Sequence, residues 1–134
     1  MKILITDDDV ALATSFQDAL KKGGFATAHA TDGRSGIEKA KTEKPDFILC
    51  DQVLPDMNGN EILKTLKADP TTKTIPVAML SNFGQNELVQ EAINHGALDY
   101  ILKYQVEPTE LIAKVNELIG QAKNAPPTPA PAVQ

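Results

Sequence analysis

The sequence is short of cysteine, aromatic residues and long apolar runs, and each shortage excludes a class of protein. Its 134 residues include one cysteine, Cys50, no tryptophan and 4% aromatic residues. A single cysteine forms no internal disulfide, which fits a reducing compartment. No apolar run approaches the roughly 20 residues that cross a bilayer, and the start, MKILITDDD, has too short an apolar run for a secretory signal. A cytoplasmic protein without a membrane segment is therefore expected.

Positive charge is also scarce. The 13 basic residues are outnumbered by 18 acidic residues, which gives a formal net charge of −5. Strong nucleic-acid binding needs several contacts from Lys or Arg to phosphates, and single-strand binders need aromatic surfaces on which bases stack. The sequence displays neither pattern, so no direct binding of nucleic acid is expected.

Apolar patterning predicts one α/β domain. Hydrophobic residues make up 42% of the chain, enough for a single core. Strand-like segments are predicted at 2–6, 26–30, 46–50, 76–80 and 99–102, and helical periodicity predicts helices at 9–22, 32–43, 60–68, 86–96 and 108–122. Regular alternation favours a parallel sheet covered on both faces, with the weaker second and fifth strands at its edges. The fourth helix is expected to carry Leu88, Val89, Ala92 and Ile93 on one face.

The composition changes near the C-terminus. Segment 124–134, NAPPTPAPAVQ, holds four of the nine prolines and no charged residue. Such a segment buries too little apolar surface to fold, so a Pro/Ala-rich disordered tail or truncated linker is expected. The folded domain is therefore predicted to span residues 1–123.

Polar side chains follow four of the five predicted strands at the point where each strand ends. They are Asp7, Asp8 and Asp9 after the first strand, Asp51 after the third, Ser81 after the fourth and Lys103 after the fifth. The carboxyl ends of parallel strands share one edge of the sheet, where open α/β folds bind ligands. We expect these groups to converge there.

This set of groups is suited to phosphoryl chemistry. Clustered carboxylates repel one another, and a hard cation such as Mg²⁺ removes that penalty. A hydroxyl and an ammonium group neutralise phosphoryl oxygens, and one carboxylate is a possible nucleophile that forms an aspartyl phosphate. Asp9 is better explained as the N-cap of the first helix and Cys50 as a core residue. His29 and His95 lack metal-ligand spacing, so neither is expected to be catalytic.

Four segments, ILITDDD, PDFILCDQVLPDMNG, TIPVAMLS and GALDYILK, carry a family resemblance. Through them, residues 1 to about 121 resemble the receiver (CheY-like) domain of two-component response regulators. The resemblance implies a flavodoxin-like, doubly wound fold, with a five-stranded parallel sheet in the order 2-1-3-4-5 flanked by five helices. It also implies a switched signalling domain rather than an enzyme that turns over an external substrate.

The resemblance further implies roles for individual residues. Asp51 would accept a phosphoryl group from a sensor histidine kinase, a phosphotransfer protein or acetyl phosphate. The Mg²⁺ ligands would be Asp7, mainly through water, with Asp8, Asp51 and the backbone carbonyl of Val53. Ser81 and Lys103 would hold the phosphoryl oxygens, and Tyr100 would turn inward as a switch when Ser81 moves.

Partners also follow from the resemblance. The fourth helix, fifth strand and fifth helix would form the output surface for a downstream protein or output domain, and a phosphorylation-dependent homodimer is compatible with it. No output domain follows in this sequence, so either a stand-alone receiver or part of a longer protein is expected.

Four positions depart from the family pattern or add to it. Tyr104 stands where proline usually follows the lysine, so the loop KYQVEP is expected to differ in shape. Asn82 is bulkier than the residues often found after the hydroxyl residue and is expected to narrow access to the phosphate. Val53 and Phe83, each two residues after a site residue, are apolar and cannot orient an attacking water. We therefore predict slow self-dephosphorylation.

Three other functions fit the sequence less well than a switched receiver domain. A phosphatase of the haloacid-dehalogenase type would need an acid where Val53 stands, and a cap domain for which no chain remains. A degenerate receiver that only binds partners is disfavoured because Asp8, Asp51, Ser81 and Lys103 are all present. A flavodoxin-like cofactor binder would need a Ser/Thr-rich phosphate loop after the first strand, where this chain has three acids.

Overall fold

The predicted alternation of five strands and five helices is confirmed. The computed structural model describes residues 1–81, 86–103 and 106–124, without side chains for 86–88 and 123–124. The strands are β1 (Lys2–Thr6), β2 (Ala26–Ala30), β3 (Phe47–Asp51), β4 (Val77–Ser81) and β5 (Asp99–Leu102), and the helices are α1 (Val10–Lys22), α2 (Gly33–Glu43), α3 (Gly59–Ala68), α4 (Asn86–Asn94) and α5 (Pro108–Asn124). Apart from Asn124, the last residue of α5, the predicted tail lies outside the described residues.

The sheet has the order β2-β1-β3-β4-β5, and every neighbouring pair is parallel. The fold class is therefore the flavodoxin-like arrangement expected from the resemblance, with β2 and β5 at the edges. β3 and β4 are buried along their whole length, as continuous apolar central strands should be when helices cover both faces. Within the described residues, no helix is both long and apolar enough to cross a membrane.

Two apolar cores lie on opposite faces of the sheet. One joins the sheet to α1 and α5 and includes Phe16, Phe47 and Leu111. The other joins it to α2, α3 and α4 and includes Cys50, which confirms the core role predicted for this cysteine. On the apolar face predicted for α4, Ala92 is fully buried, whereas Ile93 beside it is 42% exposed. The side chain of Leu88 is outside the described part of the structure.

Side-chain caps fix where three helices begin. The carboxylate of Asp9 accepts from the Leu12 backbone N–H at the start of α1, as predicted, and that of Asp32 accepts from Ser35 at the start of α2. The third cap was not predicted: Asn58 and Glu61 form a reciprocal capping box at the start of α3. This box ends the loop that follows Asp51 and so fixes the loop's far end.

Candidate functional site

The polar groups that follow the strands meet at the carboxyl edge of the sheet, as predicted. The side chains of Asp7, Asp51 and Lys103 converge there and are at least 93% buried. Ser81, only 1% exposed, is one residue beyond Leu80, the partner of Asp51 in the β3–β4 pairing. Asp8 is exposed at the mouth of the site. Four separate segments thus supply one cluster because parallel pairing brings their strand ends level.

Lys103 links the two buried carboxylates. Its Nζ lies 2.9 Å from Oδ2 of Asp7 and 2.9 Å from Oδ2 of Asp51. Burial alone would lower the pKa of Lys103, but the hydrogen bonds and charges of the two aspartates outweigh it, and its pKa is raised. The ammonium group is therefore charged at neutral pH and compensates part of the negative charge.

Asp51 is held in an environment that disfavours its ionised form. Burial, opposed by the Lys103 hydrogen bond and assisted by the charge of Asp7, raises the pKa of Asp51 to about 6. The backbone N–H of Val53 approaches its Oδ1 at 3.4 Å, a long contact that favours the carboxylate only weakly. The neighbouring thiol of Cys50 has its pKa raised, first by burial and then by Asp51 and Asp7, so it stays neutral.

The carboxylates form a set of oxygen donors that fits a hard divalent cation. One ligand oxygen from each of Asp7, Asp8 and Asp51 lies within 4.8 Å of the others. Hard cations such as Mg²⁺ prefer carboxylate oxygens and keep several waters. The buried negative charge exceeds what the single ammonium of Lys103 neutralises, so a cation at the exposed Asp8 side would relieve repulsion.

Tyr100 is turned toward the protein interior. Its ring packs against the core on the α2–α4 face, and its hydroxyl is buried without a hydrogen-bond partner among the described residues. It occupies β5 opposite Met79, two residues before Ser81 in β4. Three other positions singled out in the sequence, Asn82, Phe83 and Tyr104, lie outside the described residues.

Sequence reasoning missed contacts that hold the loop after β3. Both carboxylate oxygens of Asp56 accept backbone N–H groups at the start of α2, from Gly33 at 2.7 Å and Arg34 at 2.9 Å. These hydrogen bonds lower the pKa of Asp56. The loop that contains Val53 is thus tied to α2. No sequence signal pointed to this pairing, because the partners are 22 and 23 residues apart.

A second missed contact involves His29. Its Nε2 lies 2.8 Å from the backbone carbonyl oxygen of Asp7. The absence of metal-ligand spacing had set His29 apart from the predicted ligands, and no contact with the loop after β1 was expected of it. Strand alternation alone did not show that this side chain reaches the loop after β1.

The chain is similar to known proteins in both sequence and structure. A family model described as the response regulator receiver domain matches residues 3–116. Chemotaxis protein CheY of Thermotoga maritima is 36% identical over 119 residues, which cover 87% of this chain and 96% of CheY. The DNA-binding response regulator MtrA of Mycobacterium tuberculosis is 34% identical over 125 residues, but this chain spans only 53% of MtrA. The crystal structure of a CheY-like receiver domain protein from Methanospirillum hungatei has a TM-score of 0.84 at 30% identity, covering 91% of this chain and 95% of that one.

Proposed function

The chain belongs to the response regulator receiver domain family, and from that premise we propose that it is a phosphorylation-switched module of a two-component system with Asp51 as the phosphoacceptor. The observation that carries the proposal is the ammonium group of Lys103, 2.9 Å from a carboxylate oxygen of both Asp7 and Asp51. A buried ammonium group between two carboxylates is placed to neutralise the oxygens of a phosphoryl group that is attached to one of them.

In the proposed reaction, a carboxylate oxygen of Asp51 attacks the phosphorus of a phosphohistidine or of acetyl phosphate. The bond from phosphorus to the donor atom breaks, and its electron pair leaves with the donor. Lys103 then stays close to the new phosphoryl oxygens, and the Ser81 hydroxyl donates to another. Because the phosphoryl group stays on Asp51 of the same chain and is not passed to an external substrate, we classify the chain as a signalling domain rather than a turnover enzyme.

We propose that Asp7, Asp8, Asp51 and the backbone carbonyl of Val53 hold Mg²⁺, with Asp7 acting mainly through water. Bound Mg²⁺ would supply positive charge that neutralises the acids and polarises the phosphoryl group. The 4.8 Å grouping of the three carboxylates supports this assignment. Asp56 supports it indirectly, because its bonds to α2 limit the movement of the loop that carries Val53.

The switch we propose couples Ser81 to Tyr100. When the Ser81 hydroxyl moves toward the phosphate, the inward arrangement of Tyr100 would be favoured, and the surface of α4, β5 and α5 would shift in population toward its active form. The expected partners are a histidine kinase or phosphotransfer protein and a downstream target or output domain. Homodimerisation on phosphorylation, the absence of direct nucleic-acid binding and a cytoplasmic location stay predictions.

Intact mass measurement tests the proposed function. Incubation with Mg²⁺ and acetyl phosphate is expected to add the mass of one phosphoryl group to the wild type and none to Asp51→Ala, which lacks the nucleophile. Equal labelling of both proteins would exclude Asp51 as the acceptor. No labelling of the wild type would support a module that only binds, and turnover of a generic phosphate ester would support a phosphatase.

A second prediction concerns the lifetime of the phosphorylated state. Val53 is 61% exposed beside Asp51 and offers no polar side chain to orient an attacking water. Wild type is therefore expected to lose its phosphoryl group slowly, and Val53→Asn is expected to shorten the half-life on the order of tenfold by positioning that water. The decay of acetyl-phosphate-derived label measures both. Val53→Ala is the matched control, since it changes size without adding a polar group. A wild-type half-life of seconds would contradict the prediction.

A further inference from the structure

His29 lies outside the cluster of site residues but is bonded to it. It occupies the edge strand β2, opposite Ile5 of β1, and its side chain is partly buried. Its Nε2 is 2.8 Å from the carbonyl oxygen of Asp7. A carbonyl oxygen only accepts hydrogen bonds, so Nε2 carries the proton and donates it.

The bonded carbonyl belongs to the peptide group that joins Asp7 to Asp8. The last backbone bond between β1 and β2 runs from the Asp7 N–H to the Ala30 carbonyl, at 2.9 Å. Beyond that bond the chain leaves the sheet, and the His29 side chain is what fixes the next carbonyl. It therefore fixes the peptide plane from which the Asp8 side chain branches.

Asp8 depends on its backbone more than the other two acids do. The carboxylate of Asp7 contacts the Asp9 N–H and Lys103, and that of Asp51 contacts Lys103 and the Val53 N–H. Within the described residues, no hydrogen bond or ion pair holds the Asp8 carboxylate. The orientation of Asp8 toward a cation thus rests on the backbone between Asp7 and Asp8.

His29 is itself firmly held. Lys39 of α2 donates from Nζ to the His29 carbonyl oxygen at 2.7 Å, and β2 pairs with β1 along its full length. A continuous set of contacts therefore runs from α2 through His29 to the peptide that carries Asp8. A donor anchored in this way limits the loss of conformational freedom when a ligand binds at the loop.

We propose that His29 is a positioning residue for the divalent-cation site, which it serves by holding the Asp7–Asp8 peptide group so that Asp8 faces the cation. This inference rests on the proposed function, because it presumes that the acids bind Mg²⁺. Residues that orient metal ligands typically change metal affinity by 10- to 100-fold when they are replaced.

Calorimetric titration with Mg²⁺ tests the proposal. His29→Leu, which has no donor, is expected to weaken Mg²⁺ binding about tenfold. His29→Gln carries an amide N–H at a similar reach and is expected to restore most of that affinity. Thermal unfolding of each variant without Mg²⁺ separates positioning from general stability, since a purely structural role would lower the melting temperature of His29→Leu and leave its Mg²⁺ affinity unchanged.

The outcomes distinguish this inference from the proposed function. If His29→Leu binds Mg²⁺ with wild-type affinity, or if His29→Leu and His29→Gln weaken Mg²⁺ binding equally, the positioning role of the His29 donor is overturned and the proposed function is not. A wild type that binds no Mg²⁺ overturns this inference together with the proposed metal site. Should His29→Leu not fold, His29→Thr takes its place, because threonine suits an edge strand and is too short to reach the Asp7 carbonyl.

Discussion

Replacing Lys103 with methionine is expected to destabilise the Mg²⁺-free protein by about 3 kcal/mol at neutral pH, because removal of one partner from a buried ion pair leaves the other charges uncompensated. Lys103 is 5% exposed and contacts two buried carboxylates, so two negative charges lose their counter-charge at once. The free energy of unfolding from urea titration, followed by circular dichroism, measures the effect. If Mg²⁺ binds the folded state as proposed, its addition should recover part of the loss.

The stability lost in Lys103→Met is expected to be smaller at acidic pH than at neutral pH. Burial, only partly opposed by Lys103, already raises the pKa of Asp51 to about 6, and without the ammonium its pKa moves higher. When the pKa of a carboxyl group is higher in the folded than in the unfolded state, the free energy of unfolding rises as the pH falls through that pKa. The stability difference between Lys103→Met and the wild type should therefore shrink as the pH falls from about 7 to about 5.

Lys114→Met is the matched control for Lys103→Met. Lys114 makes a 2.7 Å ion pair with Asp99, but the two side chains are 37% and 32% exposed. An exposed pair contributes about 0–1 kcal/mol, so this variant should lose far less stability. Equal losses in the two variants, or a fully stable Lys103→Met at neutral pH without Mg²⁺, would show that the site does not depend on the buried ammonium.

Gly59→Ala is expected to destabilise the fold by about 3 kcal/mol, at the upper end of the cost of overpacking a core. A Cβ atom at this first residue of α3 would lie 2.6 Å from the backbone oxygen of Asp51 and would also clash with Cε of Met79. The methionine end can move, but the strand backbone cannot without shifting Asp51. We therefore also expect slower labelling of the variant by acetyl phosphate, measured by intact mass.

Gly120→Ala is the control that isolates this steric effect. Gly120 lies within α5, and a Cβ atom there would meet no heavy atom within 4 Å. Alanine should therefore stabilise α5 by about 0.5–1 kcal/mol through its higher helix propensity. A Gly59→Ala protein that is as stable and as quickly labelled as wild type would show that β3 and α3 have room to separate.

The elements that the sequence predicted well are those with a strong local signal. The position and type of all ten elements were predicted to within a few residues at each end, because apolar periodicity reports which faces are buried. The caps at Asp9 and Asp32 were also predicted, since a cap and its N–H partner are only three residues apart. The 42% exposure of Ile93 was not predicted, because periodicity shows which residues share a face but not how much of that face the neighbouring elements cover.

The sequence by itself determined which chemical groups follow the strands, and with the family resemblance it determined the strand order. It did so because alternation of strand and helix leaves few arrangements, and parallel strands end at one edge. Only the tertiary structure decided how those groups are held: Lys103 between Asp7 and Asp51, Asp56 on the start of α2, and His29 on the Asp7 carbonyl. Each of these contacts joins residues at least 22 positions apart. Such contacts depend on the spacing of packed elements, which local patterns do not encode.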